Sequence, residues 1–230
     1  MKISEIFESI QGEGINAGKQ AIFLRTAECN LKCIWCDTKY TWDWKNYDYA
    51  KEVNEISIKE IRKLLEQSTI RHLVITGGEP LMQQDDLAEL LTFLKPEFYV
   101  EVETNGTILP NNALSALVDQ WNVSPKTKNS GNPEELCDNN ECYVFFSKQK
   151  NCYFKYVVEG ADDLVEIKKL ISKYSLDKNK VLLMPQASTK SEIISREKIV
   201  SKLAKDYKLS YSPRMHVSCL LYTSPSPRDS

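Results

Sequence analysis

Short apolar, β-branched or aromatic runs recur along the chain and alternate with segments of helical periodicity. We predict strands at residues 21–24, 73–75, 99–102, 153–158 and 181–183. Apolar residues spaced three and four apart predict amphipathic helices at residues 58–65, 87–94 and 164–171. Two capping-box pairs predict where helices begin: Ser57 with Glu60, and Thr189 with Glu192.

The alternation of strands and helices predicts parallel strands joined by helical crossovers, in an α/β layer or barrel. In a barrel of this kind the chemistry gathers at the carboxyl ends of the strands. Polar and glycine-rich motifs each follow a strand candidate. These motifs are QGEG at residues 11–14, CNLKCIWC at 29–36, TGGEP at 76–80, ETNG at 103–106 and SPK at 124–126. We therefore expect one site at that end of the sheet.

The length of 230 residues suits a single domain with a buried core, which we predict over residues 1–217. Residues 127–151 are rich in Asn, Glu, Ser and Lys and predict a surface insertion. Residues 218–230 lack periodicity. We predict a non-native tail there and exclude it from the fold.

Charge and composition exclude several classes of partner. The formal net charge is −2 and the lysines are scattered, which argues against nucleic acid binding. No apolar run reaches the roughly twenty residues that span a bilayer, and the start lacks a signal-peptide pattern, so we expect no membrane partner and a cytoplasmic location. Seven cysteines, an odd number, argue against a disulfide framework and for thiolate chemistry or buried thiols.

Three of the cysteines, Cys29, Cys33 and Cys36, share one short loop. Their spacing could place three thiolates around one face of a [4Fe-4S] cluster. Such clusters usually have four cysteine ligands, so one iron would stay open to bind a small molecule. A structural zinc site needs a fourth ligand, which the loop lacks. Three unligated core thiols are the other alternative.

The cysteine loop, with Trp35 just before its last cysteine, and the TGGEP motif together resemble the two signatures of the radical S-adenosylmethionine (SAM) superfamily. The resemblance implies an incomplete TIM-like barrel of parallel strands with outer helices. It also implies that the reduced cluster cleaves SAM to methionine and a 5′-deoxyadenosyl radical, which abstracts hydrogen from the substrate. Gly77 and Gly78 would let the backbone approach a ligand without a Cβ in the way. A simple glycine turn is the alternative.

More specific features resemble the 7-carboxy-7-deazaguanine synthase family: residues 5–14, Arg25, the CDT sequence at residues 36–38, and residues 124–126. The resemblance implies conversion of 6-carboxy-5,6,7,8-tetrahydropterin to 7-carboxy-7-deazaguanine with loss of ammonia, using Mg²⁺ and catalytic SAM. It also implies a homodimer. We expect an electron donor such as flavodoxin.

The same resemblance assigns roles to individual residues. The substrate would be bound by Ile10, Gln11, Gly12, Glu13, Arg25, Thr76 and His216. The cofactor would be bound by Trp35, Gly77, Gly78, Glu79, Glu103, Asn105, Ser124, Lys126 and Gln186. Thr38 would bind Mg²⁺, which favours hard oxygen ligands and retains waters. The Glu13 carboxylate can accept from adjacent N–H groups of a pterin, and Arg25 offers a planar fork to the substrate carboxylate.

Two other functions share part of this pattern. A glycyl-radical activase has the three-cysteine loop but would not predict the QGEG and CDT sequences. A non-catalytic zinc or iron-sulfur module would need neither the TGGEP motif nor an open iron. Cys137, Cys142 and Cys152 could hold an auxiliary cluster, but their wide, irregular spacing favours free thiols.

Overall fold

The computed structural model describes residues 1–218, without the side chains of His216 and Ser218. Its strands are β1 (Lys2–Ile10), β2 (Gln20–Thr26), β3 (Asn54–Glu55), β4 (His72–Gly77), β5 (Tyr99–Thr104), β6 (Gln120–Val123), β7 (Cys152–Val158), β8 (Val181–Pro185) and β9 (Ser210–Tyr211). Its helices are α1 (Tyr49–Glu52), α2 (Ile58–Gln67), α3 (Gln84–Leu94), α4 (Asn112–Ser115), α5 (Glu134–Cys137), α6 (Asn140–Ser147), α7 (Asp163–Lys173), α8 (Lys190–Tyr207) and α9 (Met215–Ser218).

The strands form one sheet in the order β3-β1-β2-β4-β5-β6-β7-β8-β9. From β2 to β9 all neighbours are parallel, whereas β1 runs antiparallel to both β2 and β3. Within the described residues β3 and β9 lie at opposite ends of this order and do not pair, so the sheet is open. This confirms the predicted α/β fold with an incomplete barrel.

The local signals in the sequence explain how the helices are placed. Both predicted capping boxes form: the Glu60 amide donates to Ser57 Oγ at 3.3 Å, and the Glu192 amide donates to Thr189 Oγ1 at 3.3 Å. Each satisfies free amide groups in the first turn of its helix. The apolar stripe of α2 then buries Ile61 and Leu65 in the main hydrophobic core.

Residues 127–151 differ from the surface insertion that their composition predicts. They form the crossover from β6 to β7 and contain α5 and α6. Cys142, Tyr143 and Phe146 of α6 are buried in the main core. The apolar run CYVFF of α6 lies within a segment that is otherwise mostly polar, so the composition of residues 127–151 as a whole did not reveal the helix.

The polar motifs lie where the parallel strands end. The cysteine loop follows β2, the two glycines end β4, and Asn105 and Ser124 come directly after β5 and β6. The predicted tail, residues 218–230, lies outside the described residues apart from the backbone of Ser218. Among residues 1–218, no helix combines the length and apolarity that crossing a membrane requires.

Candidate active site

A cavity of about 1030 Å³ opens at the carboxyl ends of the parallel strands. Its wall contains most of the residues that the sequence predicted: Ile10, Gln11, Gly12, Glu13, Arg25, Cys29, Cys33, Trp35, Cys36, Thr38, Thr76, Gly77, Gly78, Glu103, Asn105, Ser124, Lys126 and Gln186. Of the remaining two, Glu79 lies beneath the wall, and the side chain of His216 lies outside the described part of the chain.

Each sulfur of the cysteine loop has a hydrogen-bond partner. The Leu31 amide lies 3.4 Å from Cys29 Sγ, Trp42 Nε1 lies 3.3 Å from Cys36 Sγ, and Asn132 Nδ2 lies 3.2 Å from Cys33 Sγ. These N–H groups can donate to thiolate or cluster sulfur, and such bonds tune the potential of iron-sulfur clusters.

Burial in this loop disfavours the ionised, thiolate form of the cysteines. Burial raises the pKa of Cys29 to about 12 and also raises the pKa of Cys33. Bound iron supplies the positive charge that deprotonates a coordinating thiol. Three thiols, each with an N–H donor and all on one cavity wall, therefore fit a cluster with one iron left for another ligand.

The same thiols do not fit a single-ion site. Among the side chains that the structure describes, no three of His, Cys, Asp or Glu converge closely enough to hold one metal ion. A zinc site requires such convergence, whereas each cysteine of a cubane cluster binds a different iron. Cys137 packs beside Cys33 and Leu31, whereas Cys142 and Cys152 belong to the main core, so these three do not assemble a second site.

Gly77 and Gly78 are required by the packing of the protein itself. A Cβ on Gly77 would lie 2.2 Å from the backbone oxygen of Thr26, and one on Gly78 would lie 1.9 Å from that of Glu28. The Gly78 amide instead donates to Thr26 O at 3.0 Å. The glycines thus let the end of β4 press against the start of the cysteine loop, a reason that the sequence did not reveal.

Glu79 forms hydrogen bonds to the end of β5 and to the residue that follows it. It is fully buried and accepts hydrogen bonds from the Asn105 amide at 2.7 Å and from Thr104 Oγ1 at 2.8 Å. Burial raises the pKa of Glu79, an effect that these hydrogen bonds oppose. Glu79 also accepts from the Leu81 amide at 3.0 Å, so it joins the Asn105 loop to the turn after β4 and is not part of the cavity wall.

On the part of the cavity wall next to β6 and β8, hydrogen bonds within the protein orient the polar side chains. Lys126 Nζ lies 2.9 Å from Ser124 Oγ and 5.4 Å from the centre of the Trp35 ring. Trp35 Nε1 donates to the Asn129 carbonyl at 2.9 Å, which fixes the indole beside the cysteines. At the end of β8, Gln186 is held by Arg196.

The opposite side is lined by charged groups that meet across the barrel. Glu13 pairs with Lys155 of β7 and accepts from Arg214 Nε at 3.1 Å, and Arg214 also pairs with Asp37. Arg25 donates through Nε to Glu5 at 3.0 Å. Thr38 Oγ1 lies 3.6 Å from Cys36 Sγ on the same wall.

Lys155 and Arg214 were not predicted from the sequence. Lys155 is a charged residue within the apolar run of residues 152–158, which is a signal of a buried ion pair that could have been used. Arg214 carries no local signal, because its partners Glu13 and Asp37 are far away along the chain.

Comparisons with known proteins agree with this geometry. The family model of the radical SAM superfamily matches residues 23–134. The chain is 37% identical to a 7-carboxy-7-deazaguanine synthase of Pyrobaculum aerophilum over 94% of this chain and 93% of that protein. It is 30% identical to one of Halobacterium salinarum, over 95% and 90% of the two chains.

Solved structures share the fold of this chain. A crystal structure of QueE from Escherichia coli matches with a TM-score of 0.71 and 26% identity, over 92% of each chain. Streptococcus suis SuiB bound to its precursor peptide matches with a TM-score of 0.56 over 82% of this chain and 47% of that chain. The identity to SuiB is only 14%, so that likeness concerns the fold alone.

Proposed function

Since this chain belongs to the 7-carboxy-7-deazaguanine synthase family of radical SAM enzymes, we propose that it converts 6-carboxy-5,6,7,8-tetrahydropterin to 7-carboxy-7-deazaguanine with release of ammonia. The observation that carries this proposal is that the cysteine loop, the TGGEP motif and the QGEG loop line one cavity. A glycyl-radical activase or a non-catalytic metal module gives no reason for the QGEG loop to be there.

Cys29, Cys33 and Cys36 would hold the [4Fe-4S] cluster, and SAM would occupy the neighbouring wall. When bound, these two groups supply the radical that takes a hydrogen atom from the substrate. The chain contributes orientation and the exclusion of water. The residues proposed to bind SAM directly are Trp35, Gly77, Gly78, Glu103, Asn105, Ser124, Lys126 and Gln186. Glu79 would act through the Asn105 loop.

The substrate would lie between the QGEG loop and Arg25. Residues 10–13 and Thr76 would face the pterin, and His216 is proposed to reach the substrate carboxylate from the C-terminal segment. The Arg25 side chain is largely buried. Burial acts to lower the pKa of Arg25, but the negative charges of its neighbours outweigh this and raise it, so Arg25 stays a cation. A buried cation beside an open cavity suits a carboxylate ligand.

Three finer points belong to the same proposal. Thr38 would supply one oxygen ligand to Mg²⁺, with substrate and water completing the coordination. A flavodoxin-like protein would deliver the electron, and the chain would act as a homodimer. A cytoplasmic location and the absence of nucleic acid and membrane partners stay predictions.

The test is anaerobic turnover of 6-carboxytetrahydropterin with the reconstituted protein, SAM, Mg²⁺ and dithionite, followed by mass spectrometry. We expect 7-carboxy-7-deazaguanine and ammonia, and we expect Cys33→Ala to abolish both. Cys142→Ala is the matched control, because this thiol is buried in the main core and lies off the cavity wall. Slow formation of 5′-deoxyadenosine that does not depend on the pterin would support the proposed radical chemistry and contradict the proposed substrate.

A further inference from the structure

A fully buried carboxylate lies behind the substrate side of the cavity and has no part in the function proposed above. Glu101 of β5 has no solvent exposure and receives four side-chain hydrogen bonds. The donors are Gln11 Nε2 at 3.0 Å, Asn16 Nδ2 at 2.6 Å, His72 Nε2 at 2.9 Å, and Asn122 Nδ2. Burial acts to raise the pKa of Glu101, but hydrogen bonds from His72 and Asn16 outweigh this and lower it. The group is therefore a carboxylate that only accepts.

Glu101 and Glu103 together determine how the amide of Gln11 is oriented. Gln11 Nε2 lies 3.0 Å from Glu101 Oε1 and 3.1 Å from Glu103 Oε1, so each of its two hydrogens has a carboxylate acceptor. Gln11 Oε1 accepts from the Glu13 amide at 3.2 Å. The rotated amide would place its oxygen between two carboxylates, where no donor faces it, and that orientation is excluded.

Thr76 is held in the same way. Its hydroxyl donates to Glu103 Oε2 at 2.8 Å, so its only hydrogen is used, and the oxygen lone pairs remain. Gln11, Thr76 and Glu13 all line the cavity, and we call these three the acceptor wall. The acceptor wall presents an amide oxygen, a hydroxyl oxygen and a carboxylate to whatever binds there.

We propose that Glu101 is a positioning residue that fixes Gln11 as a hydrogen-bond acceptor and thereby makes the cavity select a ligand edge composed of N–H donors. This inference rests on the proposed function, in which the acceptor wall faces the pterin. The 2-amino group and N3–H of a pterin form such an edge. A lumazine carries an oxygen in place of the 2-amino group. That oxygen would face the acceptor oxygens of the wall with no hydrogen between them, and a buried mismatch of this kind strongly weakens binding.

The first test compares two ligands on the unaltered holoenzyme. The reconstituted protein with SAM and Mg²⁺ but no reductant cannot turn over, so dissociation constants can be measured by calorimetry under anaerobic conditions. We expect 6-carboxytetrahydrolumazine to bind at least about a hundredfold more weakly than 6-carboxytetrahydropterin. Equal binding of the two ligands would overturn the proposal without any variant being made.

The second test asks whether Glu101 is responsible. In Glu101→Gln the amide of Gln11 loses one of the two charged acceptors that hold it, and the new side chain can donate to Gln11 Oε1. We expect the preference for the pterin to fall at least about tenfold. His72→Gln is the matched control, because His72 contacts Glu101 through the other carboxylate oxygen and makes no hydrogen bond to Gln11 within the described residues.

The control should lower thermal stability while leaving the ratio of the two dissociation constants within about twofold, since Gln11 keeps both acceptors. An unchanged ratio in folded Glu101→Gln would reject the role of Glu101. If that variant does not fold, the ligand comparison on the unaltered protein still decides whether an acceptor wall exists. If the unaltered protein neither binds nor converts the pterin, the proposed function itself fails. If the protein converts the pterin but binds pterin and lumazine equally well, only this inference fails and the proposed function stands.

Discussion

The three cysteines of the loop at residues 29–36 differ from Cys142 and Cys152 in what their sulfur atoms contact. Cys36 Sγ has the indole N–H of Trp42 at 3.3 Å, whereas Cys142 and Cys152 pack among apolar side chains of the core. A hydrogen bond to sulfur stabilises the reduced, more negative form of a cluster. If the loop holds the proposed cluster, these contacts would influence its redox potential as well as its ligation.

Trp42→Phe should lower the reduction potential of the reconstituted cluster. An aromatic ring is kept, although phenyl is smaller than indole, while the N–H donor to Cys36 is lost, so the reduced cluster would lose one hydrogen bond. A bond of this kind contributes about 0.5–1.5 kcal/mol, which corresponds to on the order of 20–60 mV for one electron. Redox titration followed by electron paramagnetic resonance measures the shift. Trp44→Phe is the control, because Trp44 packs edge-on against Tyr49, and an equal shift there would contradict the argument.

Lys155→Met should destabilise the protein and weaken substrate binding. Lys155 is buried and paired with Glu13, and its removal takes one of the two cations, Lys155 and Arg214, away from a largely buried carboxylate. We expect a loss of about 2–4 kcal/mol in urea unfolding and a higher KM for the pterin. Lys59→Met on the exposed face of α2 should change stability by less than about 0.5 kcal/mol.

The same ion pair predicts how the loss depends on pH. Burial acts to lower the pKa of Lys155, but Glu13 and Glu103 outweigh it, so the folded-state pKa is raised. A lysine with a raised folded pKa contributes its full stability below its unfolded value, near 10.4, and loses it only as the pH rises through the folded value. The deficit of Lys155→Met should therefore be constant between about pH 6 and 9. A deficit that disappears within that range would contradict the pairing.

At the scale of residues, the sequence was sufficient to predict those parts of the site whose residues lie close together along the chain. The cysteine spacing and the QGEG loop were recognisable because their functional atoms lie within a few residues of each other. Glu101 could not be recognised, since its hydrogen bonds come from residues such as Gln11 and His72, which only the folded chain brings to it from distant positions.

At the scale of elements, the ends of β2 and β4 determine where the site forms. The register pairs Thr26 with Gly77, and the next residue, Gly78, lies against the backbone of Glu28 just before the first cysteine. A shift of either strand end would move the cysteine loop relative to the rest of the cavity.

Gly78→Ala tests this dependence. The added Cβ would meet the Glu28 carbonyl oxygen at 1.9 Å, and backbone must move to relieve that contact. We expect a loss of about 3 kcal/mol or more in unfolding free energy together with reduced iron content after reconstitution. Gly160→Ala adds the same group with no atom within 4 Å and should have little effect. Normal iron content in Gly78→Ala would show that the two strand ends are not coupled.

Helices with an extended apolar periodicity or a capping-box pair were predicted, whereas short helices such as α6 were not. The boxes at Ser57 and Thr189 marked real helix starts. By contrast, α6 buries Cys142, Tyr143 and Phe146 within a stretch of mostly polar residues, and its contacts with the core are visible only in the folded chain.

At the scale of the whole molecule, the C-terminal segment connects loops that are distant in sequence. The Met215 amide donates to the Gly12 carbonyl at 3.0 Å, and the Gly14 amide donates to Ser212 Oγ at 2.8 Å. Arg214, between them, reaches Glu13, Asp37 and the Ala187 carbonyl. One cation thus joins the QGEG loop, the cysteine loop and the end of β8 on one side of the cavity.

Arg214→Gln should therefore affect the substrate side more than the cluster side. Glu13 keeps Lys155, and Asp37 is half-exposed and can be solvated, so the protein should fold and retain its iron. The loops would lose their shared cation, and we expect the KM for the pterin to rise at least about tenfold while kcat changes less. Arg62→Gln, which removes an exposed ion pair within α2, should leave both constants unchanged. If Arg214→Gln instead lost its iron with an unaltered KM, the segment would serve the cluster loop, and the three loops would not act together in holding the substrate.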